Sequence, residues 1–203
     1  MTKYARRKAL VVGEPTGIGL AIAKRLVEGG ASVLLTARTE EERANAVGEL
    51  GSVARVVSPS SVVGLLEGLE GLEGLEGVDI LAREGLDGPE EETGFDLLFA
   101  DAIPIARPLL PHLRDGGAVV LTAPTPCPDA VRALAAELAS RGIRVNAVAP
   151  GCIEAPGSGA VPLPPLGRLG AAEEVARAAL FLATEATFTT GARLPVDGGL
   201  GRP

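Results

Sequence analysis

Short runs of consecutive apolar residues, many of them β-branched, alternate along this chain with segments whose apolar positions recur every three or four residues. The runs predict strands over 9–12, 32–36, 53–57, 78–81, 118–122, 144–148 and 193–196, and the periodic segments predict helices over 17–28, 40–50, 61–76, 95–114, 129–141 and 172–183. Strands that are apolar on both faces need cover on both. Strands separated by helices return in parallel through right-handed crossovers. The expected fold is therefore α/β: a doubly wound, three-layer sandwich around a parallel sheet of about seven strands, forming a single domain over 1–203.

One segment breaks the pattern. Residues 64–77 read GLLEGLEGLEGLEG, a tripeptide repeat. A helix turns about 100° per residue, so leucines at every third position drift around it instead of forming one stripe. Each interior glycine also costs about 1 kcal/mol of helix propensity relative to alanine. Leu66, Leu69, Leu72 and Leu75 are expected to form a frayed surface helix.

Composition narrows the function classes. Hydrophobic residues make up 46% of the 203 but aromatics only 2%, so the core must be Ala, Val, Leu and Ile. A formal charge of −7 argues against nucleic acid or an anionic membrane as partner, since both require a basic face. It leaves a small-molecule ligand open. Two cysteines and one histidine make neither a disulfide framework nor a metal set. No run reaches the ~18 apolar residues of a membrane span, and the opening MTKYARRKALVVG reads as basic residues entering a buried first strand. The chain is expected to be cytoplasmic.

The chemistry-bearing motif lies between the first strand and the first helix: Gly13-Glu14-Pro15-Thr16-Gly17-Ile18-Gly19. Its glycines permit a tight turn, let a pyrophosphate approach the backbone, and allow the helix to pack closely on the sheet. The helix N-terminus adds unpaired amides and the positive end of the dipole. Gly13, Thr16, Gly17, Ile18 and Gly19 are thus candidate dinucleotide-binding residues.

This turn resembles the Thr-Gly-x-x-x-Gly-x-Gly element of short-chain dehydrogenases/reductases. The stretch from Ile143 to Pro156, IRVNAVAPGCIEAP, resembles that family's sixth strand and its Pro-Gly loop. Residues 166–175 and 191–200 resemble its last helix and strand. The resemblance covers nearly the whole chain. It implies strand order 3-2-1-4-5-6-7, cofactor contacts from Pro150, Gly151 and Ile153, and a homodimer or homotetramer formed through the fourth and fifth predicted helices.

An acid at the end of strand two would bind the ribose of NAD, whereas an arginine there accommodates the 2′-phosphate of NADP. The chain has Thr36-Ala37-Arg38 at that place. Arg38 offers a planar fork matched to phosphate and favours NADP(H), with NAD(H) as the alternative. Glu14 and Pro15 in the turn, Ser58-Pro59-Ser60 after strand three, Ala82-Arg83-Glu84-Gly85 after the expected strand four, and Ala155 all depart from the family pattern. They point to weak or lost binding.

The resemblance also implies a Tyr-x-x-x-Lys pair, a serine after strand five and an asparagine in helix four. The only tyrosine is Tyr4, and no lysine follows Lys24. The serine position falls near Pro124 and the asparagine position near Leu98. The prolines of Thr122–Pro128 oppose a helix start there, and the short loop 157–165 implies a shallow pocket. Thr122, Thr125 and Glu84 (with Arg83) are the candidate replacement groups. His112 and Cys152 are weaker ones, Cys152 being by default an inert thiol. Three readings stay open: a dinucleotide-binding protein without the usual catalyst, an NADP(H)-dependent oxidoreductase with a different acid/base, and a cofactor-independent lyase, isomerase or structural subunit.

Overall fold

The computed structural model describes residues 3–13, 17–51, 54–58, 94–123, 126–154 and 162–201. Seven parallel strands make one sheet: β1 (Lys8–Val12), β2 (Ser32–Thr36), β3 (Ala54–Val57), β4 (Phe95–Ala100), β5 (Leu113–Leu121), β6 (Arg144–Pro150) and β7 (Arg193–Val196), in the order β3-β2-β1-β4-β5-β6-β7. The described helices are α1 (Gly17–Glu28), α2 (Glu40–Leu50), α3 (Ile103–Ala106), α4 (Pro128–Leu138) and α5 (Ala172–Thr184). Short 3-10 turns follow α3 (Arg107–His112) and α4 (Ala139–Arg141).

The pleat sorts the strand side chains into two cores. Ala9, Val11, Leu97, Phe99, Ala118, Val120 and Val148 enter one core, shared with Ile22 and Leu26 of α1 and Val175 and Leu180 of α5. Leu10, Leu98, Ala100, Val119, Leu121, Val145 and Ala147 enter the other, beneath Leu109, Leu110 and the Val131, Leu134 and Leu138 face of α4. Successive strand residues point to opposite faces, so runs apolar at every position are what a doubly covered sheet requires.

The expected helix over 95–114 does not form. Phe95–Ala100 is instead the central strand, paired with β1 on one side and β5 on the other. Pro104, Pro108 and Pro111 explain why the next residues make only α3 and a 3-10 turn: each removes a backbone donor and clashes with the preceding turn. The place beside β1 expected for 78–81 is thus held by Phe95–Ala100. Residues 78–81, the helix expected over 61–76 and the Leu-Glu-Gly repeat lie outside the described residues. β5 begins at Leu113, five residues before its expected start, with a register shift against β4 between Phe95 and Leu97.

Two polar side chains tie the last elements to β6. Asn146, fully buried, donates from Nδ2 to the Thr189 carbonyl at 2.8 Å and accepts from the Ala192 amide at 3.0 Å, fixing the entry to β7. The Arg144 guanidinium donates to the carbonyls of Leu182 (2.6 Å), Ala183 and Ala186 (3.0 Å) at the C-terminal end of α5. That helix has no basic residue of its own in its last turn. Burial, and secondarily the nearby Arg7, lower the Arg144 pKa.

Candidate functional site

The strand order reverses between β1 and β4, so the crevice outside their carboxyl ends is where a doubly wound sheet binds ligands. Gly13 follows β1 and Asp101 follows β4. A Cβ on Gly13 would lie 2.6 and 2.7 Å from the two Asp101 carboxylate oxygens, so a larger residue there would displace the Asp101 side chain. Thr36, at the end of β2 and fully buried, lies within hydrogen-bonding distance of both the amide (3.2 Å) and the carbonyl (3.3 Å) of Gly13 through its hydroxyl. Thr122, just after β5, donates its hydroxyl to Asp101 Oδ1 at 3.1 Å. Four strand ends thus meet at the reversal.

α1 starts at Gly17, whose φ of +55° is a conformation that side-chain-bearing residues rarely adopt. Gly17, Ile18 and Gly19 form its first turn, where backbone amides have no partner within the helix, and no acidic side chain occupies that turn. These features fit a phosphate group. Thr16, Glu14 and Pro15 lie outside the described residues.

Arg38 is exposed just beyond β2. Its backbone amide donates to Glu42 Oε2 at 2.8 Å, while Thr39 and Glu42 form a capping box that starts α2. The cap holds the Arg38 backbone at the edge of the crevice on the β2 side, away from Asp101.

The Pro150-Gly151-Cys152-Ile153 loop leaves the end of β6 with one amide and one carbonyl engaged. Gly151 donates to the Val196 carbonyl, and Cys152 accepts from the Gly170 amide at 2.9 Å. Beside it opens a cavity of about 330 Å³, lined in part by Cys152, Arg168, Glu174 and Asp197. It flanks the crevice on the β7 side and does not lie over the strand-order reversal. Arg168 grips Glu174 through two contacts of 2.8 Å, and Glu174 Oε2 also accepts from the Ala171 amide at 2.9 Å, ahead of α5.

Arg168, then the Ala171 amide, lowers the Glu174 carboxyl from 4.5 to about 2. Ionised Glu174 therefore favours the folded state above pH 4.5, and that contribution fades as the pH falls through about 2. Glu174→Gln is expected to be less stable than the parent at pH 7 and indistinguishable from it near pH 2. Urea midpoints at pH 7, 4 and 2 check this.

The chain's tyrosine and lysines all lie away from the crevice. Tyr4 is buried at the amino edge, its amide bonded to the Gly29 carbonyl at 2.7 Å and its ring pressed on Gly29. Lys3 pairs with Glu185, Lys24 with Glu49, and Lys8 opens β1 at the amino edge. His112 precedes β5 at that same edge. Leu98, expected near the asparagine position, is a buried β4 residue. The carboxyl end of strand four carries Asp101, not the Arg83 and Glu84 expected there; those two and Thr125 lie outside the described residues. Of the candidate catalytic groups, only Thr122 is placed at the crevice.

Sequence reasoning missed Asp101 and the buried role of Thr36. The three prolines within ten residues after Asp101 were the available signal, because they argue against one long helix and release FDLLFA to be a strand.

Similarity to known proteins accords with this geometry. The short chain dehydrogenase family model matches residues 7–62, and the enoyl-(acyl carrier protein) reductase model matches residues 127–201. The 3-oxoacyl-[acyl-carrier-protein] reductase FabG of Salmonella typhimurium is 35% identical over 235 aligned positions, covering 95% of this chain and 96% of that protein. The chain belongs to the short-chain dehydrogenase/reductase family. The L-fucose dehydrogenase of Bos taurus is 31% identical, covering 98% of this chain and 90% of its own length. A short-chain dehydrogenase/reductase structure from Serratia marcescens superposes with a TM-score of 0.76 at 19% identity, over 98% of this chain and all of that one, and so shares the fold. The matched segments hold β1 to β3 and α4 to β7 of this family member. Among the described residues no helix is long and apolar enough to cross a membrane, and no cluster of His, Cys, Asp and Glu could hold a metal ion.

Proposed function

We propose that this short-chain dehydrogenase/reductase family member binds a dinucleotide, preferring NADP(H), and lacks the proton donor that usually works above it. The observation that carries this reading is the split at the sheet's carboxyl edge. Gly13 and a helix start whose first amides have no intrahelical partner stand beside the strand-order reversal with Arg38 on their β2 side, while Tyr4 and all three lysines lie elsewhere. Gly17, Ile18 and Gly19 would hold the phosphates, Gly13 would make the turn that leads to them, Arg38 would hold the 2′-phosphate, and Pro150, Gly151 and Ile153 the nicotinamide end. When bound, the cofactor supplies a hydride; the residues at this edge supply binding and orientation.

An oxidoreductase reading with a non-standard acid/base is favoured by the family itself, whose relatives include the FabG reductases, and by the Asp101–Thr122 pair at the crevice. Fluorescence titration with NADPH tests binding, and NADPH oxidation against a panel of ketones and quinones separates the two readings. Absence of NADPH and NADH binding would leave a cofactor-independent or structural role. Arg38→Ala should weaken NADPH roughly 10- to 100-fold, the worth of a charge-assisted phosphate contact, and leave NADH nearly unchanged. Equal losses for both cofactors would remove Arg38 from the 2′-phosphate. Self-association as a homodimer or homotetramer now rests on α4 alone, because the fourth expected helix is a strand and short turns. Arg132, Ala133, Ala136 and Glu137 form its exposed face.

A further inference from the structure

Asp101 is half-buried at the strand-order reversal, between Gly13 of one half of the sheet and Thr122 of the other. Its Oδ1 accepts the Thr122 hydroxyl; among the described residues, Oδ2 accepts no hydrogen bond, and no lysine or arginine pairs with the carboxylate. Another aspartate at the carboxyl edge, Asp197 after β7, is engaged on both oxygens by the amides of Gly199 and Gly201, each at 2.9 Å. A half-buried carboxylate with one oxygen free of protein donors has an acceptor to offer a ligand at the crevice. Such a group at a ligand crevice calls for a hydroxyl donor and disfavours a phosphate beside it.

The two halves of the crevice then divide the work. Arg38, on the β2 side, suits an anionic adenosine ribose. Asp101 lies across Gly13 on the β4 side, where the other half of an extended dinucleotide must run. The carboxylate also fills the space a Cβ would take on Gly13, so the closest approach for phosphate moves to the first turn of α1.

We propose that Asp101 is a ligand-reading residue of this chain, accepting a hydrogen bond at Oδ2 from a ribose hydroxyl on the nicotinamide half of a bound dinucleotide, with Thr122 as its positioning residue. This rests on the dinucleotide reading given above. It assigns Asp101 a binding role and involves no covalent step.

The test is a fluorescence titration of the full chain with two probes: NADPH, and an NADPH analogue whose nicotinamide-side sugar is 2,3-dideoxyribose. Asp101→Asn keeps the shape and removes the charge. It should weaken NADPH roughly 10- to 100-fold, as loss of a charge-assisted hydrogen bond does. The same variant should leave the analogue's affinity unchanged, and the parent should bind the analogue about as weakly as the variant binds NADPH. Thr122→Val should weaken NADPH in the same direction, and Thr122→Ser should restore it, which gives a second line should Asp101→Asn fold poorly. Tighter NADPH binding by Asp101→Asn would show that the carboxylate only repels phosphate, and equal losses for both probes would show a packing role; either overturns the proposal. A parent chain that binds neither NADPH nor NADH overturns the dinucleotide reading, and this inference with it. A parent that binds with Asp101→Asn silent overturns the inference alone.

Discussion

Phe99→Ala is expected to destabilise the protein by about 3–5 kcal/mol, among the largest effects a single truncation produces. Phe99 is 1% exposed and lies one residue before the end of the central strand β4, paired with Val11 of β1 and Val120 of β5. Its ring enters the core beneath α1 and α5. In a chain with only four phenylalanines and no tryptophan, few other side chains fill so much volume. Alanine there leaves a cavity that rigid parallel neighbours cannot close, and the melting temperature should fall by roughly 6–20 °C for a domain of this size. Calorimetry or a denaturant titration measures it. Phe95→Ala, at the half-buried start of the strand, should cost distinctly less. Similar small losses at both positions would contradict the placement of β4 at Phe95–Ala100.

The second large effect concerns Arg144. Its guanidinium satisfies two terminal carbonyls of α5 and that of Ala186 just beyond it, and sets a positive charge against the negative end of that helix's dipole. Met keeps most of the aliphatic stem but cannot donate, so Arg144→Met strands those carbonyls and should cost about 2–4 kcal/mol. Lys restores the charge but not the fork, and should recover only part of the loss. Urea unfolding of the two variants provides the ranking. A loss in Arg144→Met no greater than ordinary surface substitutions would mean that the α5 terminus is capped by water as well as by arginine. The same residue explains how β6 and α5 are held together from the amino edge while their carboxyl edge is left to the site.

Most of the architecture could be read before any coordinates, for reasons local to each segment. Gly17–Glu28 and Glu40–Leu50 match their expected bounds, because a glycine turn begins the first and a Thr39–Glu42 capping box begins the second. Ser32–Thr36 and Arg193–Val196 do so as well, since their apolar runs are bounded by turn residues on both sides. The candidate site was legible to the same extent. The glycine turn and Arg38 sit within or beside such local elements, and the absence of a second tyrosine is a matter of counting.

The central strand was different. Two apolar runs, at 78–81 and 95–100, each suit the slot between β1 and β5, and periodicity cannot rank them. The choice depends on which run offers more side chains to both cores at once, a sum over partners distant along the chain. The difference carries into the site: a strand over 78–81 puts Glu84 beyond a strand end and Asp101 in a helix, whereas a strand over Phe95–Ala100 puts Asp101 at the strand end.

The sequence by itself determined the layered α/β fold and the glycine turn; its resemblance to the short-chain dehydrogenases/reductases implied the strand order, and it holds Tyr4 as its one tyrosine with no lysine after Lys24. The layers follow from apolar runs alternating with period-3.6 segments, and the turn from the backbone freedom of its glycines. Only the tertiary structure decided which run became β4, that Tyr4 belongs to the amino-edge packing, and that Asp101 rests on Gly13 beneath the Thr122 hydroxyl. Each of those depends on parallel pairing between strands far apart in the chain, and no local propensity records which strand ends that pairing will bring together.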